Sequence, residues 1–183
     1  MIINNTDIKG VVEVIRSPIE DERGFFERVY CEDFFLSFTS GKKIKQINHS
    51  FSKKSGAVRG MHLQIGPSIE TKIISCIKGN VIDIALDLRK NSKTFLQWTS
   101  LKLSPEKYNS FVLPEGVAHG FQCLTTNCEM IYLHTSNYDP SNDIGININD
   151  PLINIQLPLE ISEISERDMA FKFLDKDYTG VNI

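Results

Sequence analysis

Short segments in which apolar and polar residues alternate, separated by turn residues, constrain the fold of this chain more than any other feature. The clearest is GNVIDIALDLR (79–89), where isoleucine and leucine at even positions alternate with smaller or charged residues. A period of two predicts a half-buried strand with one face toward a core. On this basis Asp83 lies on the face away from the core.

The same signal recurs along the chain. Further short strands are predicted for TKIISCIKG, SFVLP, HGFQCLT and EMIYLHTS, and the turns between them carry KGN, PEG and TTN. Helices are few and short: one or two turns in CEDFFLSF, a turn at Ser104-Pro105-Glu106, and a final helix after the capping sequence SERD. Many short strands with little helix predict an all-β antiparallel sandwich or barrel, a fold that often holds a ligand at its mouth.

Size and charge narrow the classes of function. The 183 residues are expected to form a single domain, residues 1–183. The net charge of −3 argues against a nucleic-acid-binding face or a polybasic membrane patch, although a few arginines remain available to hold one phosphate group. No apolar run is long enough to span a bilayer, and the segment MIINNTDIKG lacks the features of a secretory signal. The four cysteines have neither zinc-site nor redox spacing, which predicts free thiols and a cytoplasmic protein.

His62 is the first candidate for a chemical role, in the segment AVRGMHLQ (57–64). In a regular strand Arg59 and His62 face opposite sides, because their separation is odd. Gly60 predicts a bulge that re-aims one of them, so that both reach one pocket. A neutral imidazole there is suited to take up a proton. The alternative is a hydrogen-bonded core histidine.

Lys72 and Tyr132 are candidates on two other predicted strands. Lys72 shares a strand face with Ile74 and Cys76, and there it is a fixed positive charge inside the barrel; the alternative is a solvated lysine at a strand end. The Tyr132 phenol is a candidate proton donor, and its alternative is a core tyrosine.

His119 and Asp168 complete the set of candidates. His119 follows the turn PEGVA and is either a ligand contact or a turn residue. Asp168 is either the third residue of a helix-capping box or a carboxylate that orients His62 and stabilises its protonated form. The only histidines are His49, His62, His119 and His134, with no His-x-His pair, and Lys72 repels cations, so no metal site is predicted.

Taken together, these residues resemble the dTDP-4-dehydrorhamnose 3,5-epimerase family. The motifs that carry the resemblance, in order, are DERGFF (21–26), QINHS (46–50), AVRGMHLQ (57–64), TK (71–72), DIALDLRKNSKTFLQW (83–98), PEGVAHGF (114–121), YLHTSNYDP (132–140), NDP (149–151) and SERD (165–168). They extend over nearly the whole chain. The resemblance implies a cupin-type jelly roll, activity without metal or cofactor, and a homodimer in which strands are exchanged.

The resemblance also implies a substrate and a role for each residue. The substrate is a nucleoside-diphosphate 4-keto-6-deoxyhexose, usually the dTDP form. His62 is similar to the base that removes protons from C3 and C5, with Asp168 as its partner. Lys72 is similar to the cation that stabilises the enolate, and Tyr132 to the acid on the opposite face. Residues expected to hold the phosphates and the sugar are Arg23, Gln46, Asn48, Arg59, His119 and Tyr138, with further contacts expected from Asp143 and Arg167.

Several positions depart from the family pattern. Arg28 stands where the family often has glutamate, and Glu27 comes one residue early, which leaves the identity of the nucleotide open. The other departures are Leu63, Ile148, Leu157 before Pro158, the shorter acid Asp143, and Arg167 in place of lysine. None falls on the four catalytic candidates. The alternatives that remain are a 3-epimerase, a 3,4-ketoisomerase, a non-catalytic sugar-nucleotide-binding cupin and a metal-dependent cupin oxygenase.

Overall fold

The computed structural model describes all residues, 1–183, and contains thirteen strands and two short helices. The strands are β1 (Ile2–Asn5), β2 (Val12–Ile15), β3 (Ile19–Asp21), β4 (Gly24–Phe26), β5 (Gln46–Ser52), β6 (Val58–Gln64), β7 (Lys72–Lys78), β8 (Val81–Asp87), β9 (Trp98–Leu103), β10 (Asn109–Leu113), β11 (Val117–Cys123), β12 (Cys128–His134) and β13 (Asp143–Gly145). The helices are α1 (Glu32–Phe35) and α2 (Glu166–Met169), and two 3₁₀ turns span Gly66–Ser68 and Pro105–Lys107.

Eleven of the strands form two antiparallel sheets. The first has the order β1-β2-β10-β7-β12-β5 and the second the order β13-β6-β11-β8-β9, while β3 and β4 form a separate hairpin. All pairings between strands are antiparallel, and neighbours in a sheet are mostly distant in sequence, as in a jelly roll. The all-β prediction with a few short helices is confirmed.

Three groups of buried apolar residues hold the layers together. The largest lies between the two sheets and includes Ile74 of β7 and Phe121 of β11. A second group covers the outer side of the five-stranded sheet, where Ile84 of β8 packs against the segment that follows β13, through Ile146 and Ile153. A third lies on the outer side of the six-stranded sheet around Phe35 of α1. Burial of apolar area in all three is the main stabilising contribution.

The prediction that the segment 79–89 forms a half-buried strand is wrong in one respect. Strand β8 lies where predicted, but it is covered on both sides, and Asp83 and Asp87 are both fully buried. The reason is the segment after β13, which packs on the side opposite the inter-sheet core. Asp83 therefore faces the interior between the sheets rather than solvent.

The other predicted elements are found with adjusted ends. Strand β7 lies within its predicted segment, whereas β10, β11 and β12 overlap theirs but begin one or two residues earlier. The helix predicted in CEDFFLSF is a single turn, α1, and the turn at Pro105 is 3₁₀. The final helix α2 begins after Ser165 and ends at Met169, so it does not extend through MAFKF.

The ends of the six-stranded sheet and the hairpin are exposed. Ile2 of β1, Ile47 of β5 and Phe26 of β4 are 61%, 66% and 72% exposed. No helix in the structure has the length and apolar character that crossing a membrane requires. All four cysteines are free thiols.

Candidate active site

A cavity of about 820 Å³ opens between the two sheets. Its walls carry His62 and His119 from the five-stranded sheet and Lys72 and Tyr132 from the six-stranded sheet. Asp168 of α2 closes one side. All four residues predicted to be catalytic, and His119, therefore line one cavity.

A bulge in strand β6 aims His62 into this cavity. His62 pairs with His119 of β11, but the next pair joins Gly60 to Gly120, so Met61 is an extra residue in β6. Gly60 has a φ of +111°, and a Cβ atom on it would lie 2.5 Å from the Cα of Gly120. Only glycine fits this contact. The predicted bulge is confirmed, and Arg59 and His62 both line the cavity despite their odd separation.

His62 is paired with Asp168. Its Nε2 lies 2.7 Å from Oδ1 of Asp168, whose Oδ2 accepts a hydrogen bond of 3.1 Å from the Gly60 N–H. Burial alone would raise the pKa of the Asp168 carboxyl, but its hydrogen bonds and the nearby imidazole hold that pKa below its ordinary value. The carboxylate therefore stays ionised and orients the ring. The side chain of His62 is 30% exposed and that of Asp168 only 5%.

The capping box predicted around Ser165 is only half formed. The Ser165 hydroxyl accepts a hydrogen bond of 3.0 Å from the Asp168 N–H, as an N-cap does. The Asp168 carboxylate does not accept a hydrogen bond from the Ser165 N–H, because it is directed to His62 and Gly60. The two interpretations of Asp168 are thus compatible: its backbone is capped and its side chain contacts the histidine.

Lys72 points into the cavity from the first position of β7. Its Nζ donates a hydrogen bond of 3.1 Å to the carbonyl oxygen of His62 and lies 3.6 Å from the Glu70 carboxylate. Burial lowers the pKa of Lys72, against the attraction of Glu70, Asp143 and Asp83. The solvated-lysine alternative does not fit this placement, because the side chain is 9% exposed.

Tyr132 lies on the opposite wall from His62. Its hydroxyl shares a hydrogen bond of 2.9 Å with Ser50 of β5, and its ring packs edge-on against His119, with centroids 5.9 Å apart. Burial raises the pKa of Tyr132, so the phenol keeps its proton at neutral pH and is able to donate it.

His119 is more buried than His62 and pairs with Asp83 of β8. Its Nε2 lies 3.0 Å from Oδ2 of Asp83 in hydrogen-bonding geometry and 2.9 Å from Oδ1, which has no hydrogen bond. Burial lowers the pKa of His119 and raises that of Asp83, since neither charge is solvated there. Asp83 was not foreseen as part of the site.

Four of the predicted binding residues lie at or near the cavity mouth on the β5 side. Arg59 lines the cavity and donates hydrogen bonds to Ser52 and to the Phe51 carbonyl, both in β5. Asn48 also lines it and accepts a hydrogen bond of 3.0 Å from Gln46. Gln46 in turn accepts one from the Tyr138 N–H.

Two further predicted residues, Arg167 of α2 and Asp143 of β13, contact each other. Arg167 lines the cavity, forms an ion pair with Asp143 of β13, and stacks over Phe171. The Tyr138 hydroxyl donates to the same Asp143 carboxylate, which joins this pair to the rim. Phe171 packs edge-on against His62, with centroids 5.8 Å apart. This aromatic contact was not foreseen.

Arg23 is the one predicted binding residue that the structure places elsewhere. It lies in the β3–β4 hairpin, in a shallow depression separate from the cavity, and pairs with Asp21. Glu27 is bound by the buried Arg16, at 2.7 Å, so it anchors its own chain segment. Within one copy of the chain, neither residue contacts the cavity.

Glu70 and Ser50 also belong to the surroundings of the site and were not foreseen. Glu70 is buried between Lys72 and His134. Glu70 stands two positions before Lys72, and a charged residue there is common at protein surfaces. The sequence therefore carries no signal that Glu70 is buried. Asp83 did carry one: it is an acid among apolar residues of both faces in a strand.

Comparison with known proteins places these features in a family. The profile of the family described as dTDP-4-dehydrorhamnose 3,5-epimerase matches residues 5–176. The protein of that name from Salmonella typhimurium is 39% identical over 179 residues, which cover 96% of this chain and 97% of the relative.

Solved structures agree with this result. The dTDP-6-deoxy-D-glucose-3,5-epimerase of Legionella pneumophila, in complex with dTDP-4-keto-L-rhamnose, superposes with a TM-score of 0.86 at 33% identity, covering 93% of this chain and 91% of that one. A 3′-monoepimerase of Streptomyces bikiniensis, in complex with dTDP-quinovose, has a TM-score of 0.84 at 27% identity, covering 92% and 85%. Both share the fold of this chain.

Proposed function

Since the chain belongs to the dTDP-4-dehydrorhamnose 3,5-epimerase family, we propose that it inverts C3 and C5 of a nucleoside-diphosphate 4-keto-6-deoxyhexose. The conversion is of the type dTDP-4-dehydro-6-deoxyglucose to dTDP-4-dehydrorhamnose. The observation that carries the proposal is the placement of His62 and Tyr132 on facing sheets of one cavity, with Lys72 on the strand beside that of Tyr132 and hydrogen-bonded to the His62 carbonyl. The chain is accordingly an enzyme of the isomerase class.

His62 is the proposed base. A proton on the carbon next to a ketone is weakly acidic, so its removal requires a positioned base. The His62 nitrogen that does not contact Asp168 takes this proton, and the ionised Asp168 stabilises the imidazolium that results. The partial exposure of His62 supports this role, because the ring is both fixed and accessible.

Lys72 is proposed to stabilise the enolate. Loss of the proton places negative charge on the C4 oxygen, and a fixed ammonium in a site of low dielectric lowers the energy of that state. The hydrogen bond from Lys72 to the His62 carbonyl fixes the ammonium relative to the base.

Tyr132 is proposed to return a proton from the other side of the ring. Inversion requires an acid on the face opposite the base, because a proton returned to the same face restores the original sugar. Tyr132 is on the sheet that faces His62, and burial keeps its phenol protonated. The same steps at C3 and then at C5 give both inversions without a cofactor.

The residues at the mouth are proposed to hold the rest of the substrate. Arg59 and Asn48 line the cavity and are suited to the diphosphate and sugar hydroxyls, with Gln46 and Tyr138 behind Asn48. Arg167 and Asp143 flank the sugar end near Asp168. Binding free energy from the nucleotide orients the sugar for the reaction.

A homodimer is proposed from the exposed surfaces. Strands β1 and β5 are sheet edges with exposed isoleucines, and the β3–β4 hairpin exposes Phe25 and Phe26. Unpaired apolar edges favour pairing with another chain. In such a dimer Arg23 of one copy is available to the cavity of the other, which explains why a residue expected at the phosphates lies outside its own cavity.

Residues 1–183 are proposed to act as one domain, because the segment after β13 covers one sheet and also supplies Asp168 to the cavity. A cytoplasmic location is also proposed. The free state of all four cysteines supports it, since disulfides form mainly in oxidising compartments.

Deuterium incorporation tests the proposed reaction. The purified protein is incubated with dTDP-4-keto-6-deoxyglucose in heavy water, and the label is located by NMR. We expect label at both C3 and C5; label at C3 alone supports the 3-epimerase alternative, as in the Streptomyces bikiniensis relative. A product with the carbonyl moved indicates a 3,4-ketoisomerase, and absence of label together with binding indicates a non-catalytic cupin. Stoichiometric iron in the active protein supports the oxygenase instead.

Tyr132→Phe tests whether the phenol is needed for inversion but not for proton exchange. It removes only the hydroxyl, so His62 is still able to exchange the proton on its own face. We expect label to enter the starting sugar while the yield of inverted sugar falls by about 10²- to 10⁴-fold, the usual contribution of a general acid. Unchanged inversion in this variant contradicts the role of Tyr132.

A further inference from the structure

The Glu70 carboxylate lies between two residues of the cavity. Its Oε1 is 3.6 Å from Nζ of Lys72, and its Oε2 is 2.9 Å from Nδ1 of His134. The side chain of Glu70 is 4% exposed. A carboxylate buried this deeply requires partners. The two partners are Lys72, the first residue of β7, and His134, the last residue of the neighbouring strand β12.

Polar contacts continue from His134 to the cavity mouth. Because the ionised Glu70 only accepts hydrogen bonds, Nδ1 of His134 is the donor, and the opposite nitrogen, Nε2, accepts from the Asn48 amide at 3.4 Å. Asn48 is joined in turn to Gln46. A connected series of polar groups therefore runs from the proposed substrate-binding edge to Lys72.

The charge on Lys72 depends on its neighbours because burial opposes it. Burial lowers the pKa of its ammonium, and Glu70 is the strongest of the attractions that act against this. The groups facing Lys72 from the other strands are His62 on β6, Asp83 on β8 and Asp143 on β13, together with the nearby histidines 119 and 134. Asp83 is engaged by His119 and Asp143 by Arg167, which leaves Glu70 as the carboxylate in ion-pair contact with the ammonium.

We propose that Glu70, held in place by His134, is a positioning residue that keeps the Lys72 ammonium charged and directed into the cavity. The effect of Glu70 on catalysis rests on the proposed function, because Glu70 acts through Lys72. Glu70 and His134 have a role that is electrostatic and does not involve contact with the reacting carbons.

The other end of strand β7 supplies an internal control. Lys78 and His49 there share the carboxylate of Glu129 at 3.1 Å and 3.0 Å, the same three residue types in the same order of contact. Lys78 is 60% exposed, so solvent supports its charge without help. The Lys72 cluster and the Lys78 cluster contain the same residue types and differ in burial.

The direct test follows the ionisation of Lys72. Protein carrying ¹³Cε-labelled lysine is titrated by NMR, and the Lys72 signal is identified by its absence from Lys72→Arg. We expect Glu70→Gln to lower the midpoint of Lys72 by about 1–3 pH units, the effect of removing an opposite charge at this distance. Glu129→Gln should leave the Lys72 midpoint unchanged. An unchanged Lys72 midpoint in Glu70→Gln overturns the proposal.

Two further variants separate charge from fold. Glu70→Asp keeps the negative charge, so the Lys72 midpoint should stay close to its native value. His134→Gln removes only the group that holds Glu70, so it should lower the Lys72 midpoint by less than Glu70→Gln does. If Glu70→Gln fails to fold, the ordering of the Lys72 midpoints in these two variants and the native protein decides the matter. Equal midpoints in all three overturn the proposal.

Activity gives the second readout. With the sugar nucleotide, the alkaline limb of the kcat profile of Glu70→Gln should move to lower pH by the same amount as the Lys72 midpoint, with little change in KM. A shifted midpoint in a protein without epimerase activity contradicts the proposed function but not the role of Glu70. If the Lys72 midpoint shifts but the alkaline limb does not move, Glu70 affects the charge of Lys72 without affecting catalysis, which contradicts its role as a positioning residue.

Discussion

His62 and His119 lie directly opposite each other on strands β6 and β11, and each contacts an aspartate at about 3 Å or less. The carboxylate partner of His119 is Asp83, on the adjacent strand β8 and within the inter-sheet core. The partner of His62 is Asp168, which comes from α2 outside the sheets. The two pairs have the same chemistry but different surroundings.

Burial separates the roles of the two pairs. His119 and Asp83 are nearly inaccessible, and burial opposes a charge on either of them. His62 is partly exposed, and the pKa of Asp168 is held low by its hydrogen bonds. A ring that must gain and lose a proton needs an ionised partner and access to the substrate. The comparison therefore supports the proposal that His62 transfers the proton, and it favours a structural, contact-making role for His119.

Replacing His62 is expected to have the largest effect. His62→Ala removes the base, and we expect deuterium exchange at C3 and C5 to fall by at least about 10²- to 10⁴-fold. Nucleotide binding, measured by calorimetry with dTDP, should persist because the residues at the mouth are untouched. If the variant instead fails to fold, His62 belongs to the core and the comparison is broken.

Asp168→Asn is expected to have the next largest effect. The amide keeps the size of the side chain but cannot offer a negative charge to the imidazolium. A hydrogen bond to a charged group is worth about 1.5–3 kcal/mol, so its loss should lower kcat by roughly 10- to 150-fold. Steady-state kinetics with the sugar nucleotide measure kcat, and calorimetry with dTDP checks that nucleotide binding persists. An unchanged kcat would falsify the role of Asp168.

Asp83→Ala tests the other pair through stability. It leaves the His119 N–H buried without an acceptor, at a cost of about 1–3 kcal/mol in the free energy of unfolding. Urea unfolding at pH 7.5 measures this. A loss of exchange as large as that of His62→Ala, in a protein that remains folded, would show that His119 shares the proton-transfer role.

The smallest expected effect is a pH dependence of stability. The folded-state pKa of His119 is lowered from its ordinary value of 6.5. The unfolded chain therefore binds a proton that the folded chain refuses, and stability falls as the pH drops below 6.5. Asp83, with a raised pKa, acts in the opposite sense at lower pH. His119→Asn should lose less stability than the native protein between pH 7.5 and 5.5 in thermal unfolding, and an equal loss contradicts the assignment.

Much of the site could be predicted because its residues are unusual in strands. His62 beside a strand glycine, Lys72 among apolar residues and Tyr132 in an apolar strand each carried only a weak local signal, and the family resemblance of the ordered motifs joined them into one site. The bulge at Gly60 followed from the need to reconcile Arg59 with His62. The strands with strong alternation were found for the same reason.

The rest depended on distant packing. Asp83 was expected to face away from the core because the period of two distinguishes faces but does not reveal that a later segment covers the outer one. Burial of Glu70 depends on His134, 64 residues away in the chain. Edge strands such as β1 and β5 have no clear alternation, since their exposed faces are not packed within one copy.

The segment that follows β13 has a consequence for the order of events during synthesis. It is the outer cover of the five-stranded sheet and also the source of the carboxylate that contacts His62. On the ribosome every strand of both sheets is made before Asp168, so His62 gains its carboxylate partner only after the last strand has been synthesised. On the proposed mechanism, we therefore expect the chain to become active only once this covering segment has packed against the sheet.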